Sequence, residues 1–222
     1  MTTKTPLSTE ILERNRDVWD AMQNHRFVRD IEEDQLRADV FRRYLVYERI
    51  FVETAMLIFG YAMVRASRLD QRIWLIGVLH ALAGEQIQYF DRSFQALQIL
   101  PNATRAALPA SVNAFCSGML GFARDGGYAE AIAAMLAAEW MYATWCTRAA
   151  KRPIGDRELR RWVDLHAAPE FSAQAAWLRR EIDTFGESAS QQDVGTLSAI
   201  FRRALELEID FHSAPYREGP GI

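Results

Sequence analysis

The sequence predicts an all-α fold, a single-domain helical bundle of about eight helices spanning residues 1–222. Three observations carry this. Apolar residues recur at helical spacing almost throughout, and no stretch alternates like a strand between turn residues. Glycines and prolines cut the chain into helix-length pieces. Hydrophobic residues make up 50% of the chain, ample for a packed core, and its length fits one core, which grows to about 250 residues before splitting.

The first helix is expected over about Ser8–Asn24, with Ser8 or Thr9 as N-cap, and a long second over about Asp34–Ala66, ending at Ser67-Arg68-Leu69-Asp70. A third covers about Gln71–Gln98 and stops before Pro101. Pro109 opens a fourth that ends at Gly126-Gly127, and the fifth runs over Tyr128–Ala150, closed by Pro153. A sixth spans about Asp156–His166, a seventh runs from Pro169 to Gly186, and the last covers about Asp193–Ser213 before Pro215. There is no low-complexity linker and no solenoid repeat.

Composition narrows the function classes. The net charge of −3, without a basic block, argues against a nucleic-acid partner. No apolar run reaches the roughly 20 residues of a membrane span, and the opening MTTKTPLSTE does not read as a signal peptide. Cys116 and Cys146 have neither paired nor metal-type spacing and read as free thiols, so a cytoplasmic location is expected. Phosphate-binding glycine loops, zinc signatures and Gly-x-Ser-x-Gly elbows are missing.

The informative pattern lies within the apolar stripes. The second helix carries Phe41, Leu45, Glu48, Val52, Ala55 and Phe59 on one face; the third carries Val78, Leu82, Glu85 and Tyr89. The fifth carries Ile132, Met135, Glu139, Tyr142 and Cys146; the last carries Leu197, Phe201, Ala204, Glu208 and Phe211. Each stripe holds one glutamate where a core residue belongs. A buried ionised carboxylate without partners costs several kcal/mol, so chance placement is disfavoured. Glu139 is the sharpest case, following the uncharged run Ala131–Ala138. For Glu85 the alternative is a place at the stripe's edge reaching solvent; for Glu48 it is a structural ion pair. No histidine lies three residues after any of the four, so the Glu-x-x-His pairs of a di-iron bundle are absent. The remaining chemistry is acid–base work on a polar, nitrogen-rich ligand, because carboxylates crowded in a dry site part in pKa. Tyr47, Phe51, Tyr89, Phe115 and Tyr142 are candidates to sandwich a flat ring, with ordinary core packing as their alternative.

In order and spacing, Phe41 to Phe51, Tyr128 to Tyr142, His166-Ala-Ala-Pro-Glu170-Phe171 and Glu208 to His212 resemble the TenA/thiaminase II family, which has the haem-oxygenase-like fold. The resemblance implies a hydrolase that removes an amino or formyl-amino group from a thiamine-derived aminopyrimidine, in thiamine salvage. It places Glu48 on the pyrimidine nitrogens and Glu208 in proton transfer. Tyr47, Phe51, Phe115, Tyr142 and His166 fall at substrate-binding positions. The family's nucleophilic cysteine falls at Ala138 here, so the branch lacking that thiol is the closer likeness, with Glu139 as the substitute catalytic group. No metal or cofactor is implied, the partner is a small pyrimidine, and a homodimer or homotetramer is expected. Two other readings stay open, a metal-dependent oxidase on the same fold and a non-catalytic pyrimidine-binding or regulatory protein.

Overall fold

The computed structural model describes residues 5–100, 103 and 108–217. The described residues form α1 (Leu7–Arg14), α2 (Arg16–Gln23), α3 (Arg26–Glu32), α4 (Ala38–Arg65) and α5 (Leu69–Ala81). A π-helical turn, Leu82–Gln86, leads into α6 (Ile87–Ala96). Then come α7 (Ala110–Asp125), α8 (Tyr128–Ala149), α9 (Arg157–His166), α10 (Pro169–Gly186) and α11 (Gln191–Ser213), with a 3₁₀ turn at Ala214–Tyr216. There is no strand among the described residues, as expected, and no helix there is long and apolar enough to cross a membrane.

Helix α8 is the axis of the bundle. It packs against α10, α11, α7, α4 and α9, and every residue from Ala129 to Glu139 except Glu130 is buried. The alanine-rich run lets neighbouring helices approach on all sides, and a helix apolar all round is stable only when enclosed. Pro169 at the first turn of α10 and Asp156 before α9, whose side chain accepts from Leu159 N at 2.8 Å, set starts that the sequence already marks.

Three boundaries differ from expectation. The first helix is broken at Asn15, whose side-chain amide leaves the helix pattern to donate to Ile11 O at 2.8 Å and to Ser198 O and Oγ on α11. A short helix, α3, fills the stretch expected to be a loop. His25 caps it by accepting from Phe27 N, while Phe27, Val28 and Ile31 are buried. Asp34 closes it with φ 55°, a left-handed conformation that aspartate tolerates, and its carboxylate accepts from Gly155 N at 3.0 Å.

The third helix is not continuous, and this moves a site residue. The π-helical turn inserts residues at a wider pitch, so the buried row runs through Val78, Leu82 and Phe90 rather than through Glu85. Glu85 is therefore exposed, and Gln86 turns inward in its place. Pro101, expected to stop this helix, lies outside the described residues.

Candidate functional site

A cavity of about 100 Å³ opens between α4, α5, α8, α9, α10 and α11. It brings together Glu48 and Phe51 from α4, Glu139 and Tyr142 from α8, and His166 at the end of α9, five of the eight site residues expected from sequence. Phe171 and Gln174 of α10, Phe211 of α11 and Gln86 also line it. A larger groove, about 700 Å³, runs over the surface between α7, α8 and α11. Its charged groups are spoken for: Asp125 pairs with Arg124, Glu130 caps Gly127 N, and Arg203 pairs with Glu206. The smaller cavity is where buried titratable groups converge, and that makes it the candidate site.

Three expected residues stay outside the lining. Tyr47 neighbours Glu48 in sequence and so points about 100° away around α4 into the core. Phe115 is fully buried behind Phe51 and Phe211, with ring centroids 4.4 and 4.6 Å away, and so supports the aromatic wall from behind. Glu208 is completely buried, and neither carboxyl oxygen has a hydrogen-bond partner.

Each lining carboxylate is held differently. Glu48 Oε2 accepts from Trp162 Nε1 at 2.7 Å, and its Oε1 stands 3.3 Å from His166 Nε2. Glu139 Oε1 accepts from Gln174 Nε2 at 2.9 Å, while its Oε2 is buried without a partner. Burial raises the Glu139 carboxyl to about 7, against smaller opposing effects from the Gln174 hydrogen bond and from His166. Burial, reinforced by the charges of Glu139 and Glu48, holds Glu208 well above the usual carboxylate range.

Behind Tyr142 runs a hydrogen-bonded chain of fixed direction. His212 Nδ1 donates to the Glu208 carbonyl at 2.8 Å, which leaves Nε2 as an acceptor. Burial pushes the His212 imidazole down to about 3, so it stays neutral. Tyr142 therefore donates to His212 Nε2 at 3.1 Å, and Tyr44 donates to Tyr142 at 2.6 Å. The Tyr142 hydroxyl is thus engaged behind the wall by Tyr44 and His212. Glu48 and Glu139 supply the carboxylate acceptors of the lining, suited to a ligand bearing N–H groups.

No thiol lines the cavity; Ala138 occupies the position where the resemblance expects one. Burial raises Cys146 well above the ordinary thiol range and also raises Cys116, so neither is a ready thiolate. Among the described residues no group of three or more His, Cys, Asp or Glu side chains is placed to hold a metal ion. Sequence reasoning missed Gln174, Gln86 and Phe171 as cavity residues and Trp162 as the buried donor to Glu48. Trp162 and Gln174 orient the two glutamates from other helices, and no local pattern announces such a contact. Phe211 was visible as a member of the α11 stripe.

Comparison with known proteins agrees with this geometry. The aminopyrimidine aminohydrolase of Halalkalibacterium halodurans is 24% identical over 95% of this chain and 96% of its own. That of Helicobacter pylori is 22% identical over 95% and 99%. A TenA homologue from Pyrococcus furiosus superposes with a TM-score of 0.87 at 16% identity, covering 95% of this chain and 100% of that one, a likeness of fold. The sequence profile of the TENA/THI-4/PQQC family matches residues 12–218, and the chain belongs to that family.

Proposed function

We propose that the protein is a hydrolase that replaces the amino or formyl-amino group of a thiamine-derived aminopyrimidine with hydroxyl, using carboxylates in place of a cysteine. One observation carries the carboxylate part: Glu139, which lines the cavity, has one carboxyl oxygen without a hydrogen-bond partner among the described residues, and sits at about 7. A general base works best when its pKa lies near the working pH. The ionised carboxylate takes a proton from water, the water oxygen bonds to the carbon bearing nitrogen, and the C–N bond breaks. Glu48 accepts from the ligand's N–H groups, and Phe51, Phe171, Phe211 and the Tyr142 ring provide flat walls. Glu208 lies outside the lining, buried behind the wall. The relatives named as aminopyrimidine aminohydrolases, matched along nearly their whole lengths, support the substrate class.

The test is steady-state release of ammonia or formamide from pyrimidines carrying either leaving group. Turnover by the wild type and a 10²–10⁴-fold lower rate for Glu139→Gln are expected, roughly the contribution of one acid–base group. The assignment is abandoned if saturating substrate yields no product, or if Glu139→Gln and Glu208→Gln both match the wild type.

The homodimer or homotetramer expected from the resemblance belongs to the same proposal. The exposed Leu57 and Val64 of α4 and Leu69, Ile73 and Ile76 of α5 favour an interface there, because a lone chain rarely leaves so many large apolar side chains on adjoining helices in water. Light scattering of Val64→Asp/Ile73→Asp against the wild type reads it directly; a monomeric wild type ends it.

A further inference from the structure

Hydrolysis of a C–N bond needs two proton movements: one from water, and one onto the departing nitrogen. Glu139 accounts for the first. The second group must touch the cavity, carry a proton while Glu139 is ionised, and lie within reach of a ligand bound to Glu48. His166 meets these conditions; a hydrogen bond fixes the proton on its Nδ1, and its Nε2 stands against Glu48.

His166 is buried at the C-terminal end of α9. Its Nδ1 lies 2.8 Å from the carbonyl oxygen of Trp162, four residues back on the same helix. A carbonyl oxygen only accepts, so Nδ1 carries a hydrogen. In a neutral ring Nε2 would then be a bare lone pair. Yet Nε2 stands 3.3 Å from Glu48 Oε1. A lone pair and a carboxylate oxygen at that separation repel, in a place where water is not at hand to screen them. The contact becomes attractive when Nε2 also carries a proton, giving an imidazolium beside a carboxylate. The other Glu48 oxygen accepts from the Trp162 indole N–H at 2.7 Å, which favours the charged carboxylate. Trp162 thus sets both partners, its carbonyl orienting the imidazole and its indole orienting the carboxylate.

Resting on the proposed function, we infer that His166 is the catalytic proton donor of this cavity, poised as an imidazolium by Glu48 and Trp162 to protonate the leaving nitrogen. The balance closes without a co-reactant. Glu139 removes one proton from water, the hydroxyl oxygen forms the C–O bond, and the C–N bonding pair goes to nitrogen. Nitrogen takes the His166 Nε2 proton and departs as ammonia, or as formamide from a formyl-amino substrate. Glu139 is left protonated and His166 neutral, and one proton passed from the first to the second, directly or through solvent, restores the start. Both line one cavity, and each is close enough for the charge of His166 to act on Glu139.

The groups facing His166 are Glu48 on α4, Glu139 and Tyr142 on α8, Trp162 on α9, and Phe171 and Gln174 on α10. Tyr142 stays protonated because burial raises it far above its ordinary value. Glu48 and Glu139 are therefore the groups whose ionisation the imidazole senses.

Two measurements decide the proposal. The first needs no substrate: ¹⁵N NMR of the histidine-labelled protein at pH 7. The expected His166 signals are those of a doubly protonated ring, changing to the singly protonated form in Glu48→Gln, while His212 shows one proton on Nδ1 in both proteins. A wild-type His166 with a bare Nε2 overturns the proposal. The second compares leaving groups. His166→Gln should lower kcat at least about 10²-fold for an amino leaving group. The loss should be less than about tenfold for a formyl-amino group, whose nitrogen departs more easily without protonation. KM should change little for both. Equal losses on the two substrates would mark a structural role and overturn the assignment. If the wild type hydrolyses neither pyrimidine, the proposed function fails, and the NMR result then stands or falls for the poised pair by itself.

Discussion

Two buried carboxylate sites in this bundle are built in opposite ways. Near one end, Glu181 of α10 is saturated: Oε1 accepts from Arg68 at 2.8 Å, and Oε2 accepts from Gln71 at 2.6 Å and the Tyr128 hydroxyl at 2.9 Å. In the middle, Glu139 has one hydrogen bond and an idle oxygen, and Glu208 has none. All three are buried, so burial does not separate them; the number of partners does. A carboxylate that serves only to tie helices together takes every donor within reach, because each unmade bond costs stability. One left short keeps an open lone pair and a raised pKa, which are the properties proton transfer requires.

Removing the idle carboxylate tests this contrast most strongly. Glu139 ionises at about 7 in the fold against 4.5 ordinarily. The group's stability contribution is therefore complete below about pH 4.5 and is lost as pH rises through about 7. The difference amounts to about 3 kcal/mol. Glu139→Gln should raise stability at pH 8 by up to that amount while abolishing activity, and should remove a rise in kcat/KM centred near pH 7. Urea unfolding at pH 5 and pH 8 together with the pH–rate profile reads both. A variant less stable than the wild type at pH 8 would mean that the carboxylate is as structural as Glu181.

The next effect comes from the neutral histidine behind Tyr142. His212 is depressed from 6.5 to about 3 by burial, so its contribution is present above about pH 6.5 and is lost as pH falls towards 3. That is an acid-side loss of a few kcal/mol. His212→Asn should flatten this arm of the stability profile, at some cost in stability near neutrality from the broken chain to Tyr142. An acid arm as steep as in the wild type would place the acid sensitivity elsewhere.

Glu181 supplies the control. Glu181→Ala strands Gln71 and the Tyr128 hydroxyl and leaves Arg68, which is partly exposed and retains Asp70, less disturbed. The expected loss is about 2 kcal/mol in thermal or urea unfolding, with kcat and its pH dependence unchanged. A shifted pH profile in this variant would erase the distinction between the two sites.

The sequence revealed more of the bundle than of the site, and particular residues show why. Glu139 was legible because a helix that is apolar on every side can be read directly, and one charge after Ala131–Ala138 stands out. Glu48 was legible as the one glutamate on the apolar stripe Phe41, Leu45, Val52, Ala55 and Phe59. Glu85 misled because the stripe assumes 3.6 residues per turn, and the π-helical turn breaks that period within the segment concerned. Helix α3 was hidden by its length of seven residues and by a histidine cap. Glu181 escaped notice for a different reason. Its donors, Arg68, Gln71 and Tyr128, come from distant parts of the chain, and nothing local distinguishes a glutamate that will be saturated from one that will not. The number of partners is a tertiary property, and it is what separates the two carboxylate sites.

The smallest effect tests that point on one hydrogen bond. Among the described residues Gln174 is the single donor to Glu139, and a hydrogen bond to a carboxylate favours its ionised form. Gln174→Leu keeps a side chain of similar size and removes the donor, so the Glu139 carboxyl must move above about 7. The rise in kcat/KM should then shift to higher pH, with the rate at high pH little altered, because the base itself remains. The opposite change strengthens the contrast. A second donor brought to Oε2, for example by Ala138→Ser, should move the inflection down and lower the limiting rate, as Glu139 comes to resemble Glu181. If Gln174→Leu leaves the inflection where it was, the partner count around Glu139 does not set its pKa, and the contrast drawn with Glu181 falls.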